Sequence, residues 1–146
     1  PHAPQEVNCG SNFFIVPLST RKAVDAAVLD RAKADAAFAA AGIQRRGIYV
    51  FTNEPGSDTA MAYTRLFGTG GTVDPGTGSA AGPAACFMVQ HRFVPSERAG
   101  SIEILQGVLV KRPCRIYAKV EMTGADVTGI KVGGGAVVVG EGTMEI

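Results

Sequence analysis

Residues 79–90, SAAGPAACFMVQ, are apolar around almost the whole circumference of a helix. Ala80, Ala84, Phe87, Met88 and Val89 between them leave no polar face to turn toward water, so a helix here has to be enclosed by protein. No other stretch constrains the fold as strongly. The chain beyond this helix reads as strand: segments 101–105, 108–111, 114–122, 127–132, 136–139 and 143–146 are short and separated by turn residues. The earlier half adds an apolar strand at 13–18 ended by Pro17, another at 48–51, and a third at 60–67. In the third, Met61, Tyr63 and Arg65 share one face and Ala62, Thr64 and Leu66 the other. Residues 21–41 are alanine-rich, with Val24, Val28, Ala32, Ala36 and Ala39 at helical spacing and Gly42 as a stop. Asp30 is placed to cap a second helix inside that stretch. The expected class is α+β: an antiparallel β-barrel or curled sheet wrapped around a central buried helix, in one domain over residues 1–146.

Composition narrows the function classes. A chain of 146 residues, 46% hydrophobic, can bury a core without metals or disulfides. A net charge of +1 creates no field that would gather nucleic acid or an acidic membrane surface. No apolar run approaches the length of a membrane span. The three cysteines, Cys9, Cys86 and Cys114, are an odd number at wide spacing, with no CxxC or zinc pattern. Reduced thiols in a cytoplasmic protein, with no metal and no cofactor, are the expectation. Pro1-His2-Ala3-Pro4 lacks the basic start and apolar centre of a signal peptide. The absence of an initiator Met suggests a chain trimmed or cut from something longer.

The stretch 74–82, DPGTGSAAG, leads directly into the apolar helix. Several backbone N–H groups at a helix start have no partner within the helix, and the aligned peptide dipoles add positive potential there. Gly76 and Gly78 remove side chains that would block close approach, and Thr77 or Ser79 can cap or offer a hydroxyl. Pro83 has no N–H and fits best near the helix start, which places that start at about residues 78–80. A carboxylate or phosphate would be well served there. Two other readings exist. Gly76-x-Gly78 resembles the opening of a dinucleotide fingerprint, but the third glycine stands at 82 where 81 is needed, and Asp74-Pro75 interrupts the junction. No Gly-Lys-Ser/Thr comes after it, which excludes a P-loop. The remaining alternative is a glycine turn with an ordinary cap.

Arg65-Leu66-Phe67, followed by Asp74-Pro75-x-Thr77-Gly78-Ser79-Ala80-Ala81-Gly82-Pro83, resembles the signature of the PhzF-like isomerases of phenazine biosynthesis, which share the diaminopimelate epimerase fold. Gln106-Gly107 with Arg112-Pro113, and Val132-Gly133-Gly134 with Ala136-Val137-Val138, resemble that family's closing strands. The similarity runs from about Cys9 to Ile146. It departs from the family pattern at Val73, where glutamate is usual, and at Gly76, where alanine is commoner. The resemblance implies two similar domains, each a barrel around a helix, with the active site in the cleft between them. This chain corresponds to the second domain, so the first would be supplied by an N-terminal domain or companion chain. A homodimer of the two-domain unit is also implied. The family's catalytic glutamate has no match here.

The resemblance assigns Asp74 as the catalytic side chain acting on substrate; the bland alternative is an Asp that caps the loop. Thr77, Gly78, Ser79 and Ala80 are the expected substrate-binding residues, holding the carboxylate of a small carboxylic acid through N–H groups and a hydroxyl; their alternative is simple capping. The implied reaction is a cofactor-independent shift of a double bond by proton removal and return. An epimerase or racemase, or a non-catalytic ligand-binding or assembly module, are the competing readings. The epimerase reading lacks the expected cysteine at position 79. Arg65 could pair with a cleft carboxylate, but a strand-end arginine is more often solvated. Cys86 lies about two turns into the helix and reads as a packed, inert thiol. Cys9 and Cys114 read as structural, His2 as near a ragged end, and His91 as a surface group favoured at a helix C-terminus.

Overall fold

Helix α3 (Gly78–Gln90) is the axis of the molecule, and residues 80–89 along it are all buried. A computed structural model describes residues 2–70 and 73–145. A seven-stranded sheet curls around α3: β1 (Gln5–Asn8), β2 (Asn12–Pro17), β3 (Gly47–Thr52), β4 (Ala62–Phe67), β5 (Ile102–Gln106), β6 (Cys114–Thr123) and β7 (Asp126–Gly133). Strand order follows sequence order, with β1 and β7 at the edges. Strands from both ends of the sheet, β1, β2, β6 and β7, pack against α3, so the sheet forms a half-barrel with the helix as its filling.

The expected curled sheet around a buried helix is present, but its pairing is mixed rather than antiparallel throughout. β2–β3 and β4–β5 are parallel, and the other four pairs are antiparallel. Parallel neighbours need a long crossover. Two helices, α1 (Arg21–Ala26) and α2 (Arg31–Ala40), provide one, and α3 provides the other. The sheet therefore has two apolar faces. Ile15, Tyr49, Phe51 and Ile104 point to α3, whereas Val50, Tyr63 and Leu105 point to the outer side and pack with Val24 of α1. In β6 the alternation is direct, with Ile116, Ala118 and Val120 buried and Arg115, Tyr117 and Lys119 exposed.

Local chemistry explains the helix boundaries. The Thr20 hydroxyl accepts from the Ala23 N–H at 3.1 Å and starts α1. Asp30 accepts from the Lys33 N–H at 3.1 Å and starts α2, the second helix anticipated from its position. Val28, expected on a helix face, lies in the break between them and is 91% exposed. Gly42 ends α2 in the left-handed region at φ 67°. Pro83 is the sixth residue of α3, one turn deeper than a first-turn proline; the bond it cannot make is the one to the Ser79 carbonyl.

Three expected strands are not strands. Residues 108–111 form a turn, with Lys111 at φ 57° and the Arg112 N–H bonded to the Gly107 carbonyl at 3.1 Å. Residues 136–139 and 143–145 carry no regular structure, and Ile146 lies outside the described residues. Their backbone lies beside no further strand of the described sheet, and Val137, Val138 and Val139 are exposed. Conversely, β1 was not anticipated; its four residues QEVN carry little apolar signal.

An exposed ion cluster ties the loop before β4 to the sheet. Arg115 spans the Asp58 carboxylate at 3.1 and 3.0 Å and also bonds Glu103. The Ala60 N–H, first, and the Arg115 guanidinium, second, hold the Asp58 carboxyl below its usual range. A carboxyl lowered by folding contributes stability above its unfolded pKa, and this is lost as pH falls through the folded one. Asp58→Asn should therefore lower the melting temperature modestly near neutrality and flatten its acid limb, so that the variant and wild-type curves converge below about pH 4, read by thermal circular dichroism.

Candidate active site

The segment leading into α3 is pinned from three directions. Within the loop, the Asp74 carboxylate accepts from the Gly76 N–H at 3.1 Å through Oδ1 and from the Thr77 hydroxyl at 2.8 Å through Oδ2. This is a local Asx-type arrangement that shapes the backbone. From the side, Gly76 lies so near β6 that a Cβ on it would sit 2.5 Å from Cys114 Sγ. From below, Gly107 follows β5 at φ 80°, and a Cβ there would collide with the carbonyls of Pro75 and Arg112. Glycine meets both demands at Gly107, the left-handed backbone and the close approach.

Beneath the loop lies a buried polar chain. Gln106, 1% exposed at the end of β5, donates through Nε2 to the Asp74 carbonyl at 2.8 Å and to Thr77 Oγ1 at 2.9 Å. Its Oε1 accepts from the Thr77 N–H at 3.2 Å and from the Tyr49 hydroxyl at 2.8 Å. The Thr64 hydroxyl is 2.9 Å from that of Tyr49 and 3.3 Å from the Leu105 carbonyl. Burial pushes the Tyr49 phenol well above its usual range, against the weaker opposing effect of the Thr64 hydrogen bond. It stays a neutral donor. Among the described residues, no buried side-chain polar atom lacks a partner.

The mouth of α3 is open. Gly78 and Ser79 are exposed, and no side chain caps the first turn. The Thr77 carbonyl accepts from the N–H groups of Ala80 at 3.2 Å and Ala81 at 3.0 Å. The amides that remain for a ligand are those of Gly78 and Ser79. Ser79 and Thr77 line an open groove of about 580 Å³ with Asn12, Phe13, Arg45 and Arg46. Arg46 bonds Glu6 at 2.7 Å and Arg45 bonds Asp35 at 2.7 Å. The Arg46 bond, helped by Asn12, holds the Glu6 carboxyl below its usual range. Asp74 lines a neighbouring hollow of about 150 Å³ with Arg31, Arg65, Val73, Gln106 and Leu109. The two spaces adjoin, since Leu66 and Gly68 line both.

The residues singled out from sequence thus separate into two groups. Gly78 and Ser79 stand at the mouth with room for a ligand. Ala80 is fully buried with its N–H turned to Thr77, and the Thr77 hydroxyl is committed to Asp74 and Gln106. Asp74 shapes the loop while also facing the smaller hollow. Arg65 neither meets a carboxylate nor is simply solvated. Its Nη1 donates to the carbonyls of Val24, Asp25 and Ala27 at the end of α1, and its guanidinium lies over the Phe67 ring. Arg31, unremarked in the sequence, donates to the Gly68 carbonyl at 2.8 Å and holds the start of the loop. The roles of Tyr49 and Gln106 were also missed; a glutamine at the inward position that follows Ile102 and Ile104 in IEILQ is the signal that marks it.

Cys86 is buried in α3, and burial pushes its thiol up to about 12, with Cys9 Sγ 3.8 Å away. A proton-transferring thiolate is disfavoured there. His91 ends α3 against the Phe87 ring, with Nε2 3.1 Å from Gln5 Oε1. Among the described residues no His, Cys, Asp and Glu cluster could hold a metal ion, and no helix is long and apolar enough to cross a membrane.

Comparison with known proteins agrees with this architecture. The model of the PhzC-PhzF family, described as phenazine biosynthesis-like protein, matches residues 2–142, and the chain belongs to that family. A trans-2,3-dihydro-3-hydroxyanthranilate isomerase from Pseudomonas aeruginosa is 45% identical over 69 residues, which are 47% of this chain and 24% of that enzyme. A crystal structure of a phenazine biosynthesis PhzC/PhzF protein from Clostridium difficile superposes with a TM-score of 0.61 at 20% identity, over 98% of this chain and 54% of that one. A PhzF-family protein from Bacillus anthracis gives 0.61 at 18% identity, over 76% and 38%. At these identities the two structures establish the fold. The chain spans about half or less of the proteins it matches.

The close approach at Gly107 sets a testable cost. Gly107→Ala should destabilise the protein by about 2 kcal/mol or more, since a left-handed backbone and a main-chain collision act together. Urea denaturation measures it, with Gly100→Ala, where a Cβ meets open space, as the control.

Proposed function

We propose that this chain supplies the carboxylate-binding side of an isomerase active site. The observation that carries the reading is the exposed, uncapped start of a buried helix, where the Gly78 and Ser79 amides have no partner within the helix and Ser79 lines an open groove. Family membership and the name of the Pseudomonas aeruginosa relative support the reaction class. The substrate is a small unsaturated carboxylic acid of the dihydro-hydroxyanthranilate type. Its carboxylate sits on the two amides and the Ser79 hydroxyl, in the positive potential of the helix end. Its ring extends along Leu66 and Gly68 toward Asp74, whose carboxylate keeps unshared lone pairs beyond the bonds it makes to Gly76 and Thr77.

A base from an N-terminal domain or companion chain removes a proton from one carbon, and the proton returns at another as the double bond shifts. No cofactor takes part. Amides fixed before the reaction stabilise charge spreading from the carboxylate with little reorganisation. Asp74 orients a hydroxyl or amino substituent of the substrate. The complete enzyme is a homodimer of two-domain units, placed in the cytoplasm. The buried state of Cys86, and serine rather than cysteine at position 79, favour this reading over thiol-based epimerisation on the same fold.

In the complete protein, the double variant Asp74→Asn with Ser79→Ala should lower turnover of trans-2,3-dihydro-3-hydroxyanthranilate by about a hundredfold or more. Its circular-dichroism spectrum should remain that of the folded protein. Wild-type turnover in heavy water should place deuterium at the carbon that receives the proton. Full activity in the double variant would remove Asp74 and Ser79 from the site.

A further inference from the structure

The sequence carries threonine at the N-cap of α3, yet the helix is uncapped. An N-cap threonine ordinarily turns its hydroxyl oxygen to the N–H of the second or third helical residue, here Ser79 or Ala80. Thr77 does not, and the surrounding bonds give the reason. Gln106 Nε2 donates to Thr77 Oγ1 at 2.9 Å. The hydroxyl proton then goes to Asp74 Oδ2, 2.8 Å away. Both contacts engage Oγ1 outside the helix, and it makes no bond to the Ser79 amide.

We infer that Gln106, braced by Tyr49, is a positioning residue of this site: it holds the Thr77 hydroxyl off the helix and thereby keeps the Ser79 amide free for the carboxylate. The inference rests on the carboxylate reading above and assigns its specificity to a residue that acts on the carboxylate through Thr77. A carboxamide has two N–H donors and two acceptor lone pairs. In Gln106 all four are used, toward the Asp74 carbonyl, Thr77 Oγ1, the Thr77 N–H and the Tyr49 hydroxyl. No rotation of the amide preserves that set, so its orientation is fixed. Tyr49 and Gln106 are 0% and 1% exposed, which keeps water from replacing any of the four. A glutamate at 106 would lose both donors, and an apolar residue would lose the whole set. Either change frees the Thr77 hydroxyl to cap α3 and occupy the amide.

The test uses anthranilate as the carboxylate probe and the complete protein, with binding followed by the 15N–1H shifts of Gly78 and Ser79. Wild type should show saturable shifts at both amides. Gln106→Met should bind about tenfold more weakly, the loss expected when a hydrogen bond to a charged group is forfeited. The double variant Gln106→Met with Thr77→Val has no hydroxyl left to cap the helix, and should bind within about threefold of Thr77→Val alone. A purely structural role for Gln106 makes the opposite prediction, because the double variant then accumulates both defects. If Gln106→Met does not fold, Tyr49→Phe removes one of the four bonds and should weaken binding about threefold. Wild-type affinity in Gln106→Met or in Tyr49→Phe, or a double variant weaker than Gln106→Met, overturns the inference. Absence of any shift in wild type overturns the carboxylate reading itself, and the inference with it.

Discussion

A helix with no polar face can exist in water only if protein surrounds it, and most of the architecture stems from that requirement. One flat sheet layer covers one side of a helix; covering nearly all of it takes a sheet that curls until both edges reach the helix. Here β1 and β7 both touch α3, although they do not pair with each other. Small residues make the fit possible. Alanines and Gly82 let strands approach, with Ile130 and Val132 of β7 in ordinary contact distance of where a Gly82 Cβ would stand. Phe87 and Met88 fill the wider end, where Phe87 meets Phe51 and Phe93.

Enclosure has a chemical consequence at the helix start. A buried helix concentrates its unpaired amides and its dipole where it emerges from the apolar surround. Water or a cap ordinarily satisfies those amides. In this fold the potential cap is diverted into a network running from Tyr49 through Gln106 to Thr77 and Asp74. The network is buried and complete, so its geometry is specified rather than averaged. The glycines at 76 and 107 belong to the same design, since they let the loop descend onto β5 and β6 far enough for the bonds to form.

How much of this was legible in the sequence depended on whether the signal was local. The buried helix announced itself through residues 80–89, and the break between α1 and α2 through Asp30, because periodicity and capping act over a few residues. The helix start was readable from Gly78, Ser79 and Pro83 for the same reason. Pairing direction was not, since it depends on what the crossovers do in space. Residues 108–111 and 136–139 have strand-like composition but lack a neighbour, and β-propensity expresses the availability of a pleated partner. The polar network escaped notice because Tyr49, Thr64 and Gln106 come from three strands, and nothing local to any one of them shows that the other two lie beside it. Arg65 looked solvated because the α1 carbonyls it caps lie some 40 residues earlier in the chain.

The central claim is that a ligand carboxylate rests on two bare amides at the mouth of α3. A crystal structure of the complete protein soaked with anthranilate tests it most directly. The account predicts carboxylate oxygens about 3 Å from the Gly78 and Ser79 nitrogens, with Thr77 Oγ1 still bonded to Gln106 and Asp74. A carboxylate bound elsewhere, or a Thr77 hydroxyl found capping Ser79 or Ala80, would contradict it.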